Sequence, residues 1–287
     1  MTNDEIARIV RNAGGSTLTK VARDAALHSI KTTFKTQLNI QLTSFSGVKI
    51  EHVERLMAHM LGKGLSQRSG QNLMTHLRCA LREVGRDKFS HDARISNAAL
   101  GLAGASRSGT HIAVERVEAE RRIALLRPGF REAAQLQLDI GLRPLEAIRS
   151  GESLSSWARE LAKYGHLSVS TGTKGGKPRR VMFVCEESTQ NAARSIAEAS
   201  AVAAAQGGRM IGSTSLEGAI KAYGREMARV GFEGAEAPHA LRYTWAQEQF
   251  SRLKNRGCTE KEALTRLSLD LGHGDGRGRY CKQTYLK

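Results

Sequence analysis

From Ser16 onward the apolar residues recur every three or four positions, and this period constrains the fold more than any other feature. Ala26, Ile30, Phe34 and Leu38 line one face; Val53, Leu56, Met57, Met60 and Leu61 line another, closed by Gly62 and Gly64. Ser66 stands as an N-cap before a third run, to about Val84, in which Leu73, Leu77, Leu81 and Val84 share a side. The pattern predicts a mainly α chain. One stretch breaks it: Leu167-Ser168-Val169-Ser170 alternates, the glycine-rich run from Thr171 to Pro178 reverses the chain, and Arg180 to Val184 returns, which reads as a small β-hairpin.

A chain of 287 residues is long enough for two domains that each bury a core. Residues 1–15 are polar and end in Gly14-Gly15, a brief helix or an N-terminal tail. Residues 16–100 form the first helical domain. The small, glycine-rich stretch at 101–110 has the composition of a linker, although an ordinary surface loop is also built this way. Residues 111–287 form the second domain.

Lys and Arg number 44 against 28 Asp and Glu, a formal charge of +16, which points to a polyanionic partner, most simply nucleic acid. A protein that is merely basic is the plainer alternative. Aromatic residues are 5%, too few for the stacking platforms that read single strands, so double-stranded DNA is the expected partner. On the third helix Arg68, Gln71, Asn72, Arg78 and Arg82 fall largely off the apolar side; such a stripe is either a solvated face or a phosphate-contacting one. Cys79, Cys185, Cys258 and Cys281 are scattered, without zinc spacing or a disulfide framework, which fits a reduced cytoplasm. No apolar run reaches membrane length, so no membrane is expected.

In the second domain, Phe130 to Ile140 reads as a helix ended by Gly141. Pro144 and Glu146 then open another just after Arg143. Alone, Arg143 and Glu146 make a surface ion pair, Lys174 is a solvated lysine in a turn, and Lys177, Arg179 and Arg180 are phosphate contacts or plain surface charge. His239 and Arg242 share a helical face and can converge on one anion. Thr259 and Glu262 form a capping box for a helix that ends at Gly272, leaving His273 on a loop.

The ordered set Gly141-Leu142-Arg143-Pro144-Leu145-Glu146, Lys174-Gly175-Gly176-Lys177, His239-Ala240-Leu241-Arg242, Leu271-Gly272-His273 and Tyr285 resembles the tyrosine recombinases, the phage-integrase and Xer-type enzymes, over about residues 110 to 287. The resemblance implies a two-domain DNA clamp, a helical core-binding domain followed by a catalytic domain. It implies a site of Arg143, Lys174, His239, Arg242, His273 and Tyr285, supported by Glu146. The implied reaction is cutting and rejoining of DNA through a 3′-phosphotyrosyl link, in a homo-tetramer on paired sites, without metal, ATP or other cofactor. Integration or excision of a mobile element is the expected role, with the protein cytoplasmic or nucleoid-associated, of bacterial, archaeal, phage or plasmid origin. The interval from His273 to Tyr285 is about three residues longer than the family's usual spacing, and it holds a second candidate nucleophile, Tyr280. Lys282 to Leu286 resembles the nucleophile segment better, so Tyr285 is preferred. The chain ends two residues after Tyr285, where many relatives carry a further tail helix; the absence suggests truncation or another mode of assembly. The irregular spacing leaves open a DNA-binding protein that keeps the fold without cutting, and a type IB topoisomerase would share the chemistry.

Overall fold

A computed structural model describes residues 1–106 and 109–286, with only the backbone at Lys174. The chain divides into two compact units, 1–107 and 108–287.

The first unit holds α1 (Asn3–Asn12), α2 (Thr17–Thr32), which runs on into a π-helical turn (Thr33–Gln37), α3 (Ile50–Gly62), α4 (Gln67–Glu83) and the single turn α5 (Asp87–Ser90). A side-chain cap starts α4 where the sequence places it. The Ser66 hydroxyl accepts the Ser69 amide at 3.2 Å, satisfying a donor that the first turn of α4 would leave orphaned. Ile6 and Ile9 of α1 are buried with Leu27, Leu56 and Leu77, so residues 1–15 are not a tail. Their spacing of three places both on one side of the helix, which is enough to draw a short polar segment into the core.

Leu102, expected in the linker, is also fully buried in this core. Its carbonyl accepts the Gln71 amide at 2.7 Å. Gly101 and Leu102 therefore belong to the first unit, and positions 107 and 108 of the expected linker lie outside the described residues. Two of the residues expected to face DNA on α4 are half-buried and bonded within this unit. Gln71 is held by Leu102, and Arg78 donates to the Ile95 carbonyl at 2.6 Å and to Asn97 Oδ1 at 3.0 Å. Seven residues apart, they flank the buried stripe and pin the 95–102 segment to it. Arg68, Asn72 and Arg82 are exposed.

The second unit comprises α6 (Arg116–Ala124), α7 (Phe130–Ile140), α8 (Pro144–Ile148), α9 (Leu154–Tyr164), the hairpin β1 (His166–Val169) and β2 (Arg179–Met182), α10 (Glu186–Ala205), α11 (Leu216–Arg229), α12 (Ala240–Asn255), α13 (Glu260–Asp270) and α14 (Gly278–Tyr285). The strands are antiparallel, with His166 opposite Met182 and Val169 opposite Arg179. The fold is thus mainly α with one small hairpin.

Around the central α7 and α12 the apolar packing is reinforced by one polar knot. Arg116 forks onto Glu248 of α12 at 2.6 and 2.7 Å and reaches Asp139 of α7 at 2.9 Å. The other Asp139 oxygen accepts Ser195 of α10 at 2.6 Å. Such a bidentate, hydrogen-bonded arrangement is what makes buried charge tolerable. It fixes the end of α7 against α12, the two elements that carry the site. Among the described residues no helix is long and apolar enough to cross a membrane.

Candidate active site

The site is built on two helix C-termini. Gly141 caps α7 in the left-handed conformation, φ +70°, and a Cβ there would lie 2.5 Å from the Trp245 ring, so only glycine fits. At the end of α13, Asp270 and Leu271 present carbonyls that no further turn can use. The negative ends of both helices therefore face one volume, and cations gather there.

Arg242 is 0% exposed and donates through Nη1 to the Gly141 carbonyl and through Nη2 to the Leu271 carbonyl. Its Nε is buried and has no hydrogen-bond partner among the described residues. Arg143, at the N-cap of α8, donates to the Leu271 carbonyl at 3.2 Å and to Glu146 Oε1 at 2.7 Å. Glu146, also 0% exposed, accepts the Arg143 amide at 2.7 Å, closing the first turn of α8. Burial alone would raise the Glu146 carboxyl, but the Arg179, Arg242 and Arg143 charges outweigh it and hold it down to about 2. Burial, then the neighbouring Arg179, push the Arg242 guanidinium down to about 10, so it stays charged at neutral pH; the charge of an ionised Tyr285 acts in the opposite sense.

Arg179 corrects a further expectation. It is buried, with both Nη groups on Glu146 at 2.5 and 2.7 Å and Nε on the Asp270 carbonyl at 2.9 Å, and it is no surface phosphate contact. Strand alternation explains this: β2 begins one residue before its expected start, so Arg179 shares the inner face with Val181 while Arg180 points outward. Lys177 and Arg180 are exposed and border a cleft of about 490 Å³ that His273 and Gly274 also line.

Tyr285 is the last residue of α14, 2% exposed, with its hydroxyl 3.0 Å from His273 Nε2. Tyr280 reaches His273 only by an edge-on ring contact, centroids 4.9 Å apart. His273 is pushed down to about 3 by burial, then by Arg242, Arg143 and Arg179; His239 is pushed down to about 3 by burial, then by Arg242, His111 and Arg143. Both are neutral imidazoles at neutral pH. A neutral ring with its proton on Nδ1 accepts the Tyr285 hydroxyl at Nε2.

The structure thus gathers Arg143, Glu146, Arg242, His273 and Tyr285, and sets His239 at the N-cap of α12 within reach of their charges. The Lys174 side chain lies outside the described residues. Two neighbours escaped sequence reading. His111 packs edge-on against His239 and Tyr243, and the Tyr243 ring lies 4.6 Å from that of Tyr285. Tyr243 was legible, four residues after His239 on the same helical face; no local signal marks His111.

Fold and site together define a DNA strand-transferring enzyme of the tyrosine type. The family profile described as Integrase matches residues 101–248, and that of the phage integrase N-terminal domain matches residues 1–90. The chain belongs to the integrase family, the tyrosine-type site-specific recombinases. The Tn1549 transposon integrase in complex with circular intermediate DNA is 15% identical, with 99% of this chain and 94% of that one covered and a TM-score of 0.57. The same integrase with transposon right end DNA is 15% identical, covers 99% and 95%, and has a TM-score of 0.59. The lambda integrase tetramer bound to a Holliday junction is 16% identical, covers 97% and 75%, and has a TM-score of 0.59. At these identities the likeness is one of fold. A comparison with curated proteins gives no match.

Proposed function

We propose that this recombinase cuts and rejoins duplex DNA with Tyr285 as nucleophile, for the integration or excision of a mobile element. The observation that carries the assignment is the 3.0 Å hydrogen bond between Tyr285 and a neutral His273, beside the buried Arg242. A phenol has a reference pKa of about 10 and needs a base and nearby cations. His273 Nε2 takes the proton as the Tyr285 oxygen attacks phosphorus. Arg143 and Arg242 stabilise charge on the non-bridging oxygens, and His239 donates to the same group. The bond to the 5′ sugar oxygen breaks, and Lys174 protonates the departing alkoxide. A 3′-phosphotyrosyl link remains until a 5′-hydroxyl from another strand attacks it and restores the phenol. Because Tyr285 and Arg242 are buried, α14 or the 272–277 turn must move for a phosphate to reach them.

The two units act as a core-binding domain, with Arg68, Asn72 and Arg82 on phosphates, and a catalytic domain, with Lys177 and Arg180 beside the site. The solved relatives bind transposon-end or junction DNA, and one is a tetramer, which supports a homo-tetramer on paired sites here. The high positive charge and the scattered cysteines favour a cytoplasmic, nucleoid-associated protein.

A denaturing-gel assay for a covalent protein–DNA adduct tests the assignment on duplexes that carry the element's ends. Wild type and Tyr280→Phe form the adduct and Tyr285→Phe does not. Loss only in Tyr280→Phe moves the nucleophile, and no adduct in any variant that binds DNA removes the cleavage role.

A further inference from the structure

Arg179 stands inside the site without reaching its surface. Its side chain is 2% exposed. Besides Glu146 and the Asp270 carbonyl, it leans on the Gly141 carbonyl at 3.4 Å. Gly272 makes room for it: at φ +69° a Cβ on that residue would lie 2.8 Å from Arg179 Cδ. The end of α7, the start of α8, the end of α13 and the hairpin therefore all close on one guanidinium.

We propose that Arg179 is a positioning residue for strand cleavage: by taking up most of the charge of Glu146 it leaves Arg242 uncompensated and Arg143 only partly compensated for the scissile phosphate, while touching no DNA itself. Three guanidiniums share one carboxylate. Arg179 holds both of its oxygens, Arg143 one at 2.7 Å, and Arg242 stands off at 3.9 Å. Charge attraction falls with distance, so the carboxylate is neutralised mainly from the buried side. His239 and His273 are neutral and add nothing. Counting three cations and one anion, the cluster carries two net positive charges, suited to a phosphate that gains negative charge as it is attacked. Without Arg179, both Glu146 oxygens are free to draw in Arg143 and Arg242, and one net positive charge is left. This inference rests on the cluster being the cleavage site.

The test measures adduct formation on two duplexes, one with a normal scissile phosphate and one with an uncharged methylphosphonate at that position. Wild type, Arg179→Met, Arg179→Lys and the double variant Glu146→Gln/Arg179→Met are compared. Arg179→Met is expected to react about 100-fold more slowly on the phosphate, with a clearly smaller penalty on the methylphosphonate. Arg179→Lys, which keeps the charge but not the fork, falls between. The double variant regains at least about tenfold over Arg179→Met, because its carboxylate no longer competes. DNA affinity stays within about twofold throughout. Equal penalties on the two duplexes, or a double variant no faster than the single one, would overturn the proposal and leave Arg179 a framework group. An affinity loss as large as the rate loss would return it to DNA contact. If Arg179→Met does not fold, the substrate comparison is made with Arg179→Lys and the double variant, which leaves no unpaired carboxylate. If wild type forms no adduct on either duplex, the cleavage assignment fails first and separately.

Discussion

The arginines of α4 and those of the active site are the same side chain under opposite conditions. Arg68 and Arg82 are exposed, and among the described residues neither is held by a carboxylate. Arg143, Arg179 and Arg242 are gripped by helix-end carbonyls and by Glu146. An exposed guanidinium gives up its water and its freedom only when it meets a phosphate, so its contribution is modest and screened by salt. A buried one has already lost both during folding. It then acts at full strength on whatever charge develops next to it. Under the proposed roles, with the α4 arginines on phosphates and the buried ones at the scissile bond, affinity and catalysis are separable, and the separation can be attacked at either region.

The largest effect is expected for Arg242→Met. It leaves the Gly141 carbonyl with only the long contact from Arg179 and removes a cation from the site. Stability should fall by about 3 kcal/mol, as a buried hydrogen-bonded charge is lost. Adduct formation should drop by about a thousandfold or more, read by single-turnover cleavage at saturating DNA. A variant that cleaves normally would dissolve the distinction between the two regions. A smaller and different effect is expected for Arg82→Gln. Affinity falls by about three- to tenfold, and the slope of log affinity against log salt decreases by about one, while the rate from the bound complex is unchanged. A changed cleavage rate with normal affinity would place Arg82 in the wrong class.

The same contrast governs what could be read from the sequence. The helices declared themselves: Phe130–Ile140 with its glycine cap and Glu260–Asp270 with its Thr259–Glu262 box have the expected bounds, because caps and apolar period are local signals. The proposed site residues that share an element, His239 with Arg242 and Arg143 with Glu146, could be named from sequence because each pair lies within one helical turn. Partners supplied from far along the chain could not. Arg179 reads as one more cation in a basic hairpin turn, and only the start of the strand at residue 179 puts it on the inward face with Val181. Arg78 and Gln71 look solvent-facing on a helical wheel, yet the carbonyls of residues 95 and 102 claim them. Ile6 and Ile9 were too few to outweigh the polar residues around them, though two are enough to seat a helix.

The finest test concerns His273, whose neutrality depends on the same guanidiniums. Burial, then Arg242 and Arg143, lower it to about 3 in the folded chain, whereas an unfolded histidine titrates near about 6.5. Above the unfolded value neither state binds the proton and stability is unaffected. As pH falls from there towards the folded value, the unfolded chain takes up a proton that the folded chain refuses, so stability declines. Denaturant melts at pH 7 and pH 5 should therefore show a smaller loss in His273→Gln than in wild type, with His239 keeping part of the slope. Arg82→Gln, which leaves His273 and its arginines in place, should keep the wild-type slope. If His273→Gln lost as much stability on acidification as wild type, His273 would not be buried neutral. Its place as the base that takes the Tyr285 proton would then have to pass to His239.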